Sequence, residues 1–161
     1  MSRQGEIERS VAALFAALNP QTVSADGRVH RDRPDWIARI GDVRWGIELT
    51  AFRNNLDPEP ARSHRPDEAA IESRVRAKAA RVDDYRAPGT RRVGLIIHAE
   101  FGPRSCRIED DVQAERLVGR AAAVHAELGE PFDAIWLLRN VRPGDGGRLW
   151  RVSGRQANEG S

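Results

Sequence analysis

Two uninterrupted apolar runs flank an amphipathic segment in the second half of the chain, and this arrangement most constrains the fold. The runs cover residues 92–98 and 134–139, and apolar runs of this length are typical of strands buried inside a sheet. Residues 110–128 repeat apolar side chains at helical spacing, and Asp110 and Asp111 lie at the positive end of that predicted helix. Buried strands that alternate with an amphipathic helix predict an α/β protein.

The first half of the chain adds a helix, a hairpin and a second helix. The predicted elements are a helix over 6–18, a short extended piece over 22–25 or around Val29, strands over 35–40 and 43–50 joined across Gly41-Asp42, a polar loop over 53–66, a helix over 67–85 and an edge strand over 147–152. We therefore expect the order helix, strands including a hairpin, helix, strand, helix, strand.

Composition limits the class of protein. At 161 residues and 40% hydrophobic content, the chain fits one globular domain over 1–152 with a frayed tail over 153–161. A single cysteine, Cys106, excludes an internal disulfide, and no Cys and His cluster has zinc-site spacing. Because neither a signal peptide nor a membrane span is visible, we expect a soluble, cytoplasmic protein without a membrane partner.

Lys78 is the most unusual residue of the sequence. Of the 26 lysines and arginines, it alone is a lysine, and it falls on the apolar stripe of the predicted helix over 67–85, together with Val75 and Val82. A lysine that is partly buried beside carboxylates shifts its pKa readily, which an arginine does not do. The alternative is a lysine whose stem lies along the edge of the core while its ammonium stays in water.

The hairpin carries a known resemblance. Pro34-Asp35, the hairpin and Glu48-Leu49-Thr50 resemble the signature of the PD-(D/E)xK, or restriction-endonuclease-like, nucleases. The likeness covers about residues 6–98. It implies an αβββαβ core in which helices flank a mixed central sheet.

The resemblance also implies a metal site. Asp35 and Glu48 would share Mg²⁺ or Mn²⁺, which prefers oxygen ligands, and the backbone carbonyl of Leu49 would complete the set. The family's lysine would stand at position 50, where this chain has Thr50. Some relatives move the lysine to the following helix, so Lys78 is the predicted substitute and Thr50 a hydrogen-bonding bystander.

Two further residues are expected near the site by resemblance. Glu8 lies in a segment similar to the opening of archaeal Holliday-junction resolvases, which implies a third carboxylate for catalysis; the alternative is an acid that favours the first turn of a helix. Tyr85 matches the tyrosine of a Gln-xxx-Tyr motif found in the exonuclease domains of recombination helicases, although Arg81 stands in place of the glutamine.

Arginines supply candidate phosphate contacts. The net charge is only +2, but the stretch over 86–107 is strongly basic, which is compatible with phosphate binding or with a solvated surface. The residues predicted to contact substrate are Arg53, Tyr85, Arg91, Arg92 and Arg104.

The predicted function is a Mg²⁺-dependent nuclease that hydrolyses DNA, and a homodimer is left open. The alternatives are a catalytically inactive domain of the same fold that binds nucleic acid or protein, and an unrelated α/β domain that binds a small molecule.

Overall fold

Three helices and six strands make up the part of the chain that the computed structural model describes, residues 3–25, 34–52, 68–101, 106–140 and 147–154. In chain order these are α1 (Arg3–Leu18), β1 (Val23–Ala25), β2 (Trp36–Ile40), β3 (Val43–Ala51), α2 (Glu68–Ala79), a 3₁₀ turn (Val82–Tyr85), β4 (Arg92–Ala99), α3 (Asp111–Glu127), β5 (Ala134–Arg139) and β6 (Arg148–Gly154). Aside from the 3₁₀ turn, the first six elements therefore run helix, strand, strand, strand, helix, strand.

The strands form one mixed, open sheet in the sequential order β1 to β6. The central strands β3, β4 and β5 run parallel, whereas β1 to β3 and β5 to β6 pair antiparallel. The predicted apolar runs form β4 and β5, which lie beside each other in the interior of the sheet. Since parallel strands need a crossover, α3 connects them. The expectation of an α/β protein with a mixed central sheet is confirmed.

Successive side chains of β3 point to opposite faces of the sheet and therefore belong to two different cores. Trp45, Ile47 and Leu49 point to the face that α1 covers, where Phe15 packs edge-on against Trp136. The opposite face of the sheet belongs to the core that contains α2 and α3. The side chains of Glu48 and Thr50, which alternate with the first set, therefore point to the α2 side.

Several boundaries differ from the sequence expectation. The helix predicted over 67–85 ends at Ala79 and gives way to the 3₁₀ turn, which lies so close to β3 that a Cβ atom at Gly46 would collide with the Tyr85 carbonyl oxygen. Strand β6 continues to Gly154, so the start of the predicted tail belongs to the sheet. The loop over 53–66, the piece around Val29 and residues 155–161 lie outside the described residues. Among the described helices, none is long and apolar enough to cross a membrane.

Candidate active site

Asp35, which directly precedes β2, lies beside Glu48 of β3. The register pairs Trp36 with Ile47, so the preceding residue, Asp35, comes opposite Glu48. The Asp35 carboxylate accepts a hydrogen bond through Oδ2 from the Leu49 backbone amide at 3.0 Å. This bond replaces the strand partner that Leu49 would otherwise have, and it holds the Asp35 side chain against β3.

Lys78 reaches this acidic pair from the last turn of α2. Its Nζ donates a hydrogen bond to Glu48 Oε2 at 2.8 Å. The Glu48 side chain is 3% exposed and that of Lys78 is 21% exposed. On the same helix, Ile71 and Val75 are fully buried in the core, which agrees with the expectation that Lys78 lies on the core-facing side.

The second oxygen of Glu48 is left without a donor. Oε1 is buried and receives no hydrogen bond from any described residue. Burial raises the pKa of Glu48 and the hydrogen bond from Lys78 opposes that rise, while the negative charge of Asp35 and a carboxyl–carboxyl hydrogen bond with Asp35, which needs a shared proton, add to it. The ammonium of Lys78 contacts Glu48 alone, so a further cation or a shared proton would offset the repulsion between Glu48 and Asp35.

The Leu49 carbonyl points toward the same place. In a strand, the amide and the carbonyl of one residue face the same neighbouring strand. Because the Leu49 amide faces Asp35, its carbonyl also faces the β2 side, beyond the last registered pair of the hairpin, Trp36 and Ile47. The carbonyl oxygen can therefore join the two carboxylates around a shared ligand.

This donor set suits a hard divalent cation. Within the described ranges, no group of three or more His, Cys, Asp or Glu side chains could hold a metal ion, so a cation here would have two carboxylates, a carbonyl oxygen and water. Mg²⁺ commonly binds through one or two carboxylates, with water and substrate phosphate filling its remaining positions. The buried, unpaired Oε1 of Glu48 and the oxygen-only donors fit that requirement.

Glu8 is not brought to the pair by any described contact. It lies on α1, whose apolar side packs on the opposite face of the sheet, and its Oε1 accepts a hydrogen bond from Gln4 Nε2 at 3.1 Å. Thr50 is buried on the Glu48 face of β3, next to Ile97 of β4. The lysine that contacts Glu48 therefore comes from α2 rather than from position 50.

The predicted substrate residues occupy different environments. Tyr85 is fully buried, and its ring stacks on that of Phe132 with centroids 6.3 Å apart. Arg92 is half-buried, with Nη1 3.8 Å from Asp133 Oδ1, whereas Arg91 is exposed. Arg53 and Arg104 lie outside the described residues.

Two arginines that the sequence did not single out lie in line with Arg91. The hairpin register pairs Arg39 with Arg44, and the Arg91 amide donates to the Arg44 carbonyl at 2.9 Å. These three arginines form a row across β2, β3 and the start of β4. Arg39 and Arg44 each lie four residues from an acid of the pair on the same strand, so they share its face of the sheet at about 13 Å. In the sequence, the spacing of four residues from Asp35 to Arg39 and from Arg44 to Glu48 could have indicated that these arginines share a face with the acids.

Comparison with known proteins finds no family model, no curated protein and no solved structure that matches this chain.

Proposed function

We propose that this protein is a metal-dependent nuclease of the PD-(D/E)xK type that hydrolyses phosphodiester bonds in DNA. One observation carries the proposal: the buried Glu48 carboxylate lies beside Asp35 and accepts a hydrogen bond from the chain's one lysine, while its second oxygen has no donor. Since buried acids are normally satisfied, a cation bound at Oε1 would complete the partners of this carboxylate. The order helix, strand, strand, strand, helix, strand in the first half of the chain supports the same class.

Each residue has a chemical role in the proposed reaction. Asp35, Glu48 and the Leu49 carbonyl would hold Mg²⁺ or Mn²⁺, which lowers the pKa of a bound water and neutralises charge on the phosphate. Lys78 would orient the attacking water or stabilise the negative charge that develops on the phosphate oxygens. Asp35 also keeps β3 in position through the Leu49 amide. Thr50 would contribute packing beside Glu48.

The arginine row supports DNA as the substrate. Arg39, Arg44 and Arg91 form a row across one end of β2, β3 and β4, and arginine is well suited to phosphate because of its planar, permanently charged fork. DNA phosphates bound to this row would lie about 13 Å from the acidic pair, with the 3₁₀ turn covering Gly46 between them. Such contacts position a duplex without reading its sequence.

A binding module without catalysis is the second candidate. Two observations favour it: position 50 carries Thr, and Lys78 is already engaged with Glu48. For this candidate, the ion pair between Lys78 and Glu48 only stabilises the fold, and the arginine row alone provides the binding function. Turnover separates the two candidates.

The test is cleavage of duplex DNA with Mg²⁺, with Mn²⁺ and with a chelator. We expect the wild type to cut with either metal and to be inactive with the chelator, and Asp35→Asn and Glu48→Gln to lose at least about 10²-fold in rate. Glu72→Gln is the matched control, because Glu72 is an acid on the outer side of α2 that pairs with Arg76 and Arg120. A wild type that binds DNA without cutting it favours the binding module, and full activity of both site variants would locate the chemistry elsewhere.

A further inference from the structure

The two carboxylate oxygens of Glu48 differ in their hydrogen-bond partners. Oε2 accepts the hydrogen bond from Lys78 Nζ at 2.8 Å, and Oε1 is buried without a donor. A divalent cation that bound this carboxylate would come close to the lysine ammonium. Two positive charges that share one buried carboxylate repel each other, and burial strengthens that repulsion because it reduces screening by water.

We propose that Lys78 is a built-in competitor of the metal, which holds Glu48 in the resting site and leaves it when a phosphodiester arrives, so that metal and phosphodiester bind cooperatively. This inference rests on the proposed function, because it concerns the regulation of that same site. The ammonium compensates Glu48 while no cation is bound, and the substrate then offers it a new partner.

The position of Lys78 allows such an exchange. Its side chain is 21% exposed, in contrast to 3% for Glu48, so the ammonium lies at the boundary between the core and solvent. It belongs to the last turn of α2, and a flexible four-carbon stem lets it turn outward without unfolding the helix. Glu48 belongs to β3 and is paired there with Leu95 of β4. Lys78 is therefore the partner that moves.

Thermodynamic linkage makes the proposal measurable. If phosphodiester binding releases Lys78 from Glu48, it raises the affinity for metal, and metal must raise the affinity for phosphodiester by the same factor. Removal of the ammonium should have two effects: metal should bind more tightly in the absence of phosphodiester, and the coupling between the two ligands should shrink.

The experiment is calorimetric titration with Mn²⁺ alone, at the same pH for every variant. Lys78→Met should bind Mn²⁺ about tenfold more tightly than the wild type. Arg76→Met is the matched control, because Arg76 lies on the same helix but pairs with Glu72 and Glu127 on its outer side. It should bind Mn²⁺ like the wild type. Equal or weaker Mn²⁺ binding by Lys78→Met would overturn the proposal.

The second measurement repeats the Mn²⁺ titration in the presence of dimethyl phosphate, a phosphodiester probe. We expect the probe to raise the Mn²⁺ affinity of the wild type severalfold, and that of Lys78→Met by a smaller factor. The same factor in both proteins would overturn the exchange. Glu48→Gln separates this inference from the proposed function. If Glu48→Gln binds Mn²⁺ as the wild type does, there is no metal site at Glu48. If Glu48→Gln loses Mn²⁺ binding and Lys78→Met binds Mn²⁺ no more tightly than the wild type, the metal site stands and only the competition by Lys78 is rejected.

Discussion

Glu48 and His125 are both titratable side chains inside the protein, and they are satisfied to different degrees. His125 is 0% exposed; its Nδ1 lies 2.8 Å from Ser153 Oγ and its Nε2 accepts a hydrogen bond from the Phe132 amide at 3.0 Å. Glu48 is buried almost as deeply, but one of its oxygens has no donor. Burial disfavours the charged form of both, so the pKa of His125 is lowered and that of Glu48 is raised.

This difference separates a polar group that the fold satisfies from a candidate for ligand binding. His125 ties α3 to β6 and to the segment before β5, and both ring nitrogens have a partner within the fold. Glu48 has a partner for one oxygen and would gain another from a ligand. A buried polar group that the fold itself fully satisfies needs no ligand, whereas one that the fold leaves incomplete is a candidate site.

The largest expected effect is on catalysis at the incomplete site. Lys78→Met keeps the volume of the stem and deletes the charge, so cleavage of DNA should fall by at least about 10²-fold, since a site charge acts chiefly in the transition state. Lys78→Arg should fail nearly as badly, because the planar guanidinium is larger than the compact ammonium and cannot take its position beside Glu48. Initial rates of duplex cleavage under saturating Mg²⁺ measure both.

Position 50 provides the corresponding rescue. Thr50 points to the same side of β3 as Glu48, so Thr50→Lys should restore part of the activity in the Lys78→Met background. Wild-type rates in Lys78→Met would contradict the role of Lys78. A double variant no better than Lys78→Met would show that position 50 is not equivalent.

The second expected effect is on stability, with opposite signs at the two groups. His125→Ala leaves the Phe132 amide and Ser153 hydroxyl without their partner and opens a cavity, which should cost about 2–4 kcal/mol and lower the Tm by roughly 5–12 °C. Glu48→Gln removes a charge that burial disfavours, so the metal-free Tm should stay level or rise by about 1–3 °C. Thermal unfolding with a chelator present measures both, and a large loss in Glu48→Gln would mean that its carboxylate is structural after all.

The smallest expected effect is a pH dependence from His125. Its folded-state pKa lies below the ordinary 6.5, mainly because of burial, while the charge of Glu130 opposes the shift. The unfolded chain therefore binds the proton more readily, and stability should decline as the pH falls through and below 6.5, by at most about 1.4 kcal/mol per pH unit. The non-titrating His125→Gln variant is the control: the wild type's advantage over it, measured by urea unfolding, should shrink between about pH 7.5 and 5.5. A constant difference would contradict the assignment.

The local elements were largely predictable because local chemistry specifies them. The continuous apolar runs gave β4 and β5, Gly41-Asp42 fixed the hairpin register, and Asp110 marked the start of α3, where its side chain accepts a hydrogen bond from the Gln113 amide. The break after Ala79 was not visible, because the apolar spacing continues through Val82 to Tyr85. Gly46, a residue distant in sequence, lets the 3₁₀ turn that follows the break approach β3.

The candidate site likewise has features that the sequence predicts and features that only the tertiary structure determines. By itself, the sequence determined that Asp35 and Glu48 stand on neighbouring strands of a hairpin and that Lys78 faces the core, because strand alternation and helical periodicity are local properties. Only the tertiary structure decided that the lysine contacts Glu48 and that one Glu48 oxygen lacks a donor. It also decided that α1 carries Glu8 on the other face and that Tyr85 packs on Phe132. Those outcomes depend on how α1 and α2 pack on the sheet, and contacts between residues far apart in sequence set that packing.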